Sequence, residues 1–559
     1  MKFCMERKAK LNALPAYTAL AFAAALASMP TVAMELDSGN PDMTLRWDNT
    51  VKYSASVRAK DADATLADPF LPGAQGTGDA KFQNKGLNSS RFDLLSELEG
   101  KSNDFGFRVS AAAWNDSRYL DQSKFSSYTR ETHGRKTELL DAFVSGKFNL
   151  GEHAATIRVG QHSNVWGETV FFGDNGIAGL MSPIDVAKAL SVPNLRFQEI
   201  LRPVPQVSGQ VQLNSDASLY SFYQTKWVEN RSQGADSYFS PFGMLPGGDI
   251  TASPLGAFTR SADQNGSNSG QGGVALKIAD GDTDYGLYLV RANSKSATTV
   301  TQFGSIAGQV AANQGPLPQG TLGSDGFYRK YHNGITSIGA SANRSIGKFN
   351  YGIEASVRNN QDLLSLNAYD MGTGAKYATG KTFHLNLSAF GTSMGKTALW
   401  NDALLIGEVA FNRVLSVKEN ADTLSGCMPA LVPPLGMGGV CAPNGTRDST
   451  RLQVLFEPVW FQALDGVDIR MPMGLSYQLK GSRNMVGPAP MADGGGSVNI
   501  GVSGSYLDVW RFGISRMHYL GDTKPLFGGV APGNFTQQFN YGQPFGDRDY
   551  TSLYVTRTF

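Results

Sequence analysis

Residues 45–58 read LRWDNTVKYSASVR. Every second residue from Leu45 gives Leu, Trp, Asn, Val, Tyr, Ala and Val, while the intervening positions are Arg, Asp, Thr, Lys, Ser, Ser and Arg. The first set is apolar except for Asn49, and the second is wholly polar. A period of two marks a strand with two unlike faces, and this one exceeds the usual strand of about 5–6 residues. The question it poses is which solvent lies on each side.

The pattern recurs along the chain. VDIRMPMGLSYQLK (467–480) sets Val467, Ile469, Met471, Met473, Leu475, Tyr477 and Leu479 against polar neighbours. NYGIEASVR (350–358) and SVNIGVSGSY (497–506) alternate likewise. Tight breaks fall at 100–104, 150–153, 214–217, 280–283, 345–348, 464–466 and around Leu507. Long polar connections fall at 59–87, 117–136, 164–202, 229–270, 295–333, 359–379, 416–448, 481–496 and 520–546. Breaks sorted by length and an even number of segments, about 18, predict a transmembrane antiparallel up-and-down β-barrel. Its short turns would face the periplasm and its long loops the exterior. Lipid offers the backbone no hydrogen bonds, so the sheet must close. One face therefore meets lipid and the other a watery lumen. Trp47, Tyr53, Trp227, Tyr477, Tyr506 and Trp510 are expected in the interfacial aromatic girdles, and His384 on the lumen face.

Composition agrees. Of 559 residues, 41% are hydrophobic and 17% charged, with 64 Gly. That is low in charge for a soluble enzyme and too polar for a helical membrane protein. The N-terminus places Lys2, Arg7, Lys8 and Lys10 before the apolar run LNALPAYTALAFAAALASMP. Residues 1–33 are therefore expected to be a secretory signal peptide cleaved after Ala33. Residues 34–559 are then one exported barrel domain in the outer membrane of a Gram-negative bacterium. Without the leader the net charge is near −2, so nucleic acid is not an expected partner. The first strand follows the cleavage site so closely that no globular plug is expected inside. Cys427 and Cys441 bracket a loop-like stretch and are expected to form one local disulfide.

The most irregular segment is IRVGQHSNVWGETVFFGDNGIAGLMSPIDVAKALSVPNLRFQEILRPVP (157–205). It combines Gly turns, aromatics and a helix-like SPIDVAKAL, in which Ser182 would cap and Pro183 would open the helix. Loop 164–202 is a candidate for folding into the lumen as a constriction. Arg158, His162, Glu168, Asp185, Arg196, Glu199 and Arg202 would form an electrostatic filter, and Trp166, Phe171, Phe172 and Phe197 an apolar slide. The plainer alternative is that Trp166 and Glu168 pin the loop to the wall. No nucleophile elbow, calcium loop or metal-ligand spacing is present, so no catalysis, cofactor or metal is expected.

Several stretches here carry a resemblance: RVGQ (158–161), VWGET (165–169), GI (176–177), SPID (182–185), LRPVPQVSGQVQL (201–213), SLYSFYQTKW (218–227) and SYFSP (237–241). The chain resembles the "domain of unknown function 1302" family of proteobacterial outer-membrane proteins, in which Asn often stands where Ser182 stands here. The resemblance implies a barrel encoded among genes for the catabolism or transport of hydrophobic compounds. The expected activity is porin-like passive uptake of a small, hydrophobic organic solute. The alternatives left open are a non-conducting barrel that docks a periplasmic lipoprotein or an inner-membrane transporter, and an outer-membrane hydrolase. Other expected partners are outer-membrane lipids and the barrel assembly machinery, which would read the terminal strand ending on Phe559. Arg557 interrupts the apolar face of that strand.

Overall fold

Eighteen antiparallel strands follow one another around a closed sheet in this computed structural model. They are β1 Thr44–Arg58, β2 Gly86–Lys101, β3 Phe105–Asp116, β4 Arg135–Leu150, β5 His153–His162 and β6 Val204–Gln212, then β7 Ala217–Gln224, β8 Gln271–Asp280, β9 Thr283–Ala292, β10 Ile335–Ile346, β11 Phe349–Asp362 and β12 Thr379–Gly391. The last six are β13 Asp402–Glu419, β14 Asp448–Leu464, β15 Val467–Arg470 continued as Met473–Lys480, β16 Gly496–Tyr506, β17 Trp510–Leu520 and β18 Tyr550–Thr558. The structure describes residues 34–67, 77–253, 256–302, 326–365, 368–424, 446–481, 486, 494–525 and 541–559. The expected signal peptide, residues 1–33, and the expected disulfide pair Cys427 and Cys441 lie outside them.

Closure is made by β1 and β18, in register from Thr50 opposite Thr558 to Arg58 opposite Tyr550. Phe559 extends the seam: its N–H donates to the Asn49 carbonyl at 2.9 Å, and its own carbonyl accepts from the Asn49 N–H at 2.7 Å. A short strand, Met34–Leu36, pairs with Trp47–Leu45 of β1 just beyond. The break in β15 falls at Pro472, which has no N–H for the ladder. Its carbonyl still accepts from the Gly501 N–H at 3.0 Å, so the register survives.

One rim carries the short turns and the other the nine long connections. An eighth periplasmic connection, 392–401, is longer than the rest. Its polar and apolar residues are mixed, which hides it in the sequence. Asp402 organises it by accepting from the Gly395 N–H at 2.8 Å. Parts of the central and following long connections build a separate five-stranded sheet from Ile250–Ser253, Gly256–Arg260, Thr298–Gln302, Gly326–Lys330 and Tyr369–Asp370.

The burial pattern is the reverse of a soluble protein. Outward apolar residues are open, as with Val502 at 47% and Ile338 at 61% exposure, whereas inward polar residues are closed off, as with Arg58 at 1% and Glu354 at 2%. Burial of apolar surface drives folding in water, so a closed barrel wearing an apolar belt is built for a bilayer. Antiparallel closure, an even strand number and turns sorted by length are the outer-membrane form of it. No helix among the described residues is long and apolar enough to cross a membrane.

Candidate constriction in the lumen

Polar inner residues are buried because the connection between β5 and β6, residues 163–203, folds into the barrel. Its first half is held from two sides. On one side is an apolar cluster: Trp166, Ile177, Leu180 and Met181 pack with Phe222, Tyr288, Val290 and Ile335 of the inner wall. The Trp166 ring meets the Phe222 ring edge-on at 5.1 Å. Beside it, Gln224 Nε2 donates to the Met181 carbonyl at 2.6 Å.

On the other side the wall supplies charge to the loop's backbone. Glu354 of β11 accepts from the N–H groups of Glu168 at 2.7 Å and Ile177 at 2.6 Å. Glu408 of β13 accepts from three successive N–H groups, those of Val170 (3.1 Å), Phe171 (2.5 Å) and Phe172 (3.1 Å). Arg358 donates to the carbonyls of Asn175 at 2.9 Å and Gly176 at 2.8 Å. Asn175 donates to Asn386 Oδ1 at 2.9 Å, and its own Oδ1 accepts from Asn412 Nδ2 at 3.0 Å and from His384 Nδ1 at 3.1 Å. The turn makes a few backbone hydrogen bonds of its own, such as Asn175 N–H to the Phe172 carbonyl at 2.9 Å, and wall side chains satisfy further groups, as a buried loop requires. Gly167 has φ +99°, and a Cβ there would collide with the Glu354 carboxylate, so only glycine fits.

The second half carries two short helices, Val186–Ser191 and Phe197–Ile200. The sequence suggests Ser182 as cap; the cap is Asp185, whose Oδ1 accepts from the Lys188 N–H at 2.8 Å. Pro183 leaves the chain extended, so the helix starts later than expected. Ser182 Oγ donates instead to the Asn164 carbonyl at 2.8 Å. Asp185 Oδ2 also pairs with Arg231 Nη1 at 2.7 Å, and Arg231 reaches Glu138 of β4 as well. Burial lowers the Arg231 affinity for its proton, but Glu138 and Asp185 outweigh it and raise the pKa.

Further along, Arg196 Nε pairs with Glu199 Oε1 at 3.1 Å, and its Nη2 with Glu97 of β2 at 3.6 Å. Lys52 of β1 lies 3.7 Å from Glu199 and donates to the Asn194 carbonyl at 3.0 Å. Burial pushes the Glu199 carboxyl up, but Lys52, Lys188 and Arg196 outweigh it and hold it below the usual value. Arg202 donates to the Glu229 carbonyl, and burial lowers its pKa. Arg158 of β5 is exposed inside the barrel, its guanidinium 4.6 Å over the Phe143 ring.

The eight candidates therefore separate. Trp166 and Glu168 pin the loop, with Glu168 Oε2 accepting from Asn343 at 2.7 Å. His162 is buried, hydrogen-bonded to Ser208 Oγ at 2.8 Å. Asp185 and Arg202 fix the loop's course. Arg158, Arg196 and the less open Glu199 stay near the inner face of β2–β5, beside Arg108 and Asp141, which lie 3.4 Å apart. The apolar slide is not assembled, since Trp166 and Phe172 are buried. Sequence reading also passed over Glu354, Glu408, Arg358 and Asn175. The only signal of Glu354, Glu408 and Arg358 was charge within a strand on a lumen face, and Asn175, an uncharged residue of the connection itself, gave none. Trp227 leaves the expected girdle too: it is buried against Tyr331 and donates to the Ser294 carbonyl at 3.1 Å.

The extracellular mouth has its own fastening. Arg58 binds Asp79 at 2.6 Å and Asp547 at 2.7 Å, and Arg548 binds Asp79 at 2.5 Å. Arg548 also donates to the carbonyls of Tyr238 and Ser240 at 2.9 and 2.8 Å. Three long connections are thus tied to β1. Phe82, Tyr119, Phe125, Tyr238 and Phe239 pack beside this network.

The family model for DUF1302, described as a protein of unknown function, matches residues 14–559. No curated protein matches the chain. Among solved structures, Acinetobacter baumannii OccAB1 aligns with TM-score 0.43 at 8% identity, covering 95% of this chain and 98% of that one. Pseudomonas aeruginosa OccK2 (OpdF), crystallised with glucuronate, gives 0.37 at 9%, covering 92% and 97%. A BenF-like porin from Pseudomonas fluorescens Pf-5 gives 0.39 at 10%, covering 92% and 98%. Likeness at this level carries no inference to a shared solute.

Proposed function

This chain belongs to the DUF1302 family, and from that premise we propose that it is an outer-membrane channel for passive uptake of a small organic solute. One observation carries the reading. The 163–203 connection is held across the lumen by wall side chains on both sides, while Arg158 and Arg196 stay open beside β2–β5. A barrel of this size leaves a channel unless something narrows it, and a fixed loop beside open charges is how a pore is made narrow and selective. An apolar cargo follows from the family resemblance. The charged lining then asks that the cargo also carry a polar or ionised end. In this reading the assembly machinery recognises the strand ending on Phe559, and the belt sits among outer-membrane lipids.

The buried ties at the extracellular mouth favour a second reading, a barrel closed at rest that works through a periplasmic lipoprotein or an inner-membrane transporter. Single-channel recording of the exported protein in planar bilayers separates the two. Discrete openings, blocked by organic acids or alcohols in the millimolar range, are expected. A folded barrel that never conducts would overturn the channel reading.

A further inference from the structure

The outer wall carries a groove. On the lipid-facing side of β6–β9, Gly209, Ser221 and Gly272 form a floor between Val207, Tyr223 and Leu289, an open groove of about 680 Å³. The register fixes the face: Gly209 lies opposite Ser221, Gly272 opposite Tyr223, and Arg291 opposite Gly272. Tyr223 and Leu289 are among the exposed apolar residues of the belt. The groove is not a slit into the lumen. The β7–β8 ladder is unbroken from Gln224 opposite Gln271 to Ala217 opposite Ile278, and the Trp166 ring backs it at Gly273.

At one end stands Arg291. Strand β9 leaves the 281–282 turn on the periplasmic rim and reaches Arg291 at the extracellular end, so this cation lies at the outer-leaflet boundary. It points outward and is exposed. Gly270 and Gly334 flank the guanidinium without side chains that could cover it. Among the described residues Arg291 has no ion-pair partner. An unneutralised guanidinium beside an apolar groove complements an amphiphile with an anionic head, and its planar fork suits phosphate. We propose that the groove binds an acyl chain of a phosphorylated outer-leaflet glycolipid of the lipid A type, with a phosphate on Arg291. Acyl methylenes would fill space that no side chain of the barrel fills.

Native mass spectrometry of the full barrel in detergent tests this, with bisphosphorylated lipid A, phosphatidylglycerol and phosphatidylethanolamine titrated separately. One lipid A should be retained in preference to either phospholipid. Arg291→Gln should weaken retention about tenfold, the loss of one charge-assisted contact. Gly209→Leu should block it by filling the floor; a Cβ there meets nothing closer than 3.6 Å, so folding should be spared. Arg516→Gln, at the extracellular half of β17, serves as control and should change nothing. Heat-dependent gel mobility reports that each variant is folded. Wild-type retention by both groove variants, equal loss in the control, or phosphatidylglycerol bound as well as lipid A would each overturn the proposal.

Discussion

At the scale of single residues, the outcome turns on which face of a strand a side chain occupies. Val502 stands on the lipid face midway along β16, opposite Ile514 of β17. Val502→Arg is expected to cost about 2–4 kcal/mol near the midplane, to be measured by denaturant titration of refolding into vesicles. Arg557 sits on the same kind of face, yet its guanidinium lies 5.1 Å over the Trp510 ring and 5.9 Å over the Phe559 ring. Aromatic faces near the periplasmic rim make that charge tolerable. Asp79 is the reverse case, a carboxylate closed off between two arginines. Asp79→Ala leaves Arg58 and Arg548 buried without it and should destabilise the mouth by about 3–5 kcal/mol. Limited proteolysis of the extracellular connections would report the loosening.

Lys295 gives a pH signature. It is 4% exposed, and its ammonium donates to Gln224 Oε1 at 3.1 Å and Gln271 Oε1 at 2.8 Å. Burial lowers its pKa from 10.5 to about 7. Between those values the unfolded chain binds the proton and the folded one does not, so stability rises with pH across that window. Below pH 7 the cost of burying the charge is fully present. Melting temperatures of wild type and Lys295→Gln should differ by a constant below pH 7 and move in the wild type's favour from there towards pH 10. A difference independent of pH would show that the amine is not buried as described.

At the scale of elements, the 163–203 connection owes its place to partners far away in sequence. Glu408 satisfies three of its N–H groups and Glu354 two more. Glu408→Ala should free that turn and raise single-channel conductance; deletion of much of 170–196 should raise it further. Unchanged conductance in both would remove this connection as the constriction. The segment was recognisable in the sequence as irregular, helical in part and rich in aromatics. Its attachment was not, because Glu354 and Glu408 look like any lumenal carboxylate until closure brings β11 and β13 round to face it. The helix cap was misread for a local reason: Ser182 and Asp185 are both good caps, and the extended chain after Pro183 leaves the role to Asp185.

At the scale of the whole molecule, the barrel is one closed hydrogen-bonded circuit, and the extracellular connections pack into its mouth. The proposed disulfide between Cys427 and Cys441 would brace one of those connections. Mass spectrometry of the exported protein without reductant should find the two thiols joined, and free thiols would refute it.

The sequence by itself determined the barrel, the facing of its strands, their number to about 18 and the sorting of most of their turns. These follow from a period-two pattern and from the backbone's need for partners in lipid, both of which are local rules repeated along the chain. It also marked the one connection worth suspecting. Only the tertiary structure decided what fills the lumen. Trp166 chose a wall of Phe222 and Tyr288 over the open passage, and buried carboxylates chose a neighbour's backbone over water. Those choices depend on which strands face one another across a closed circle, and no stretch of chain carries that information alone.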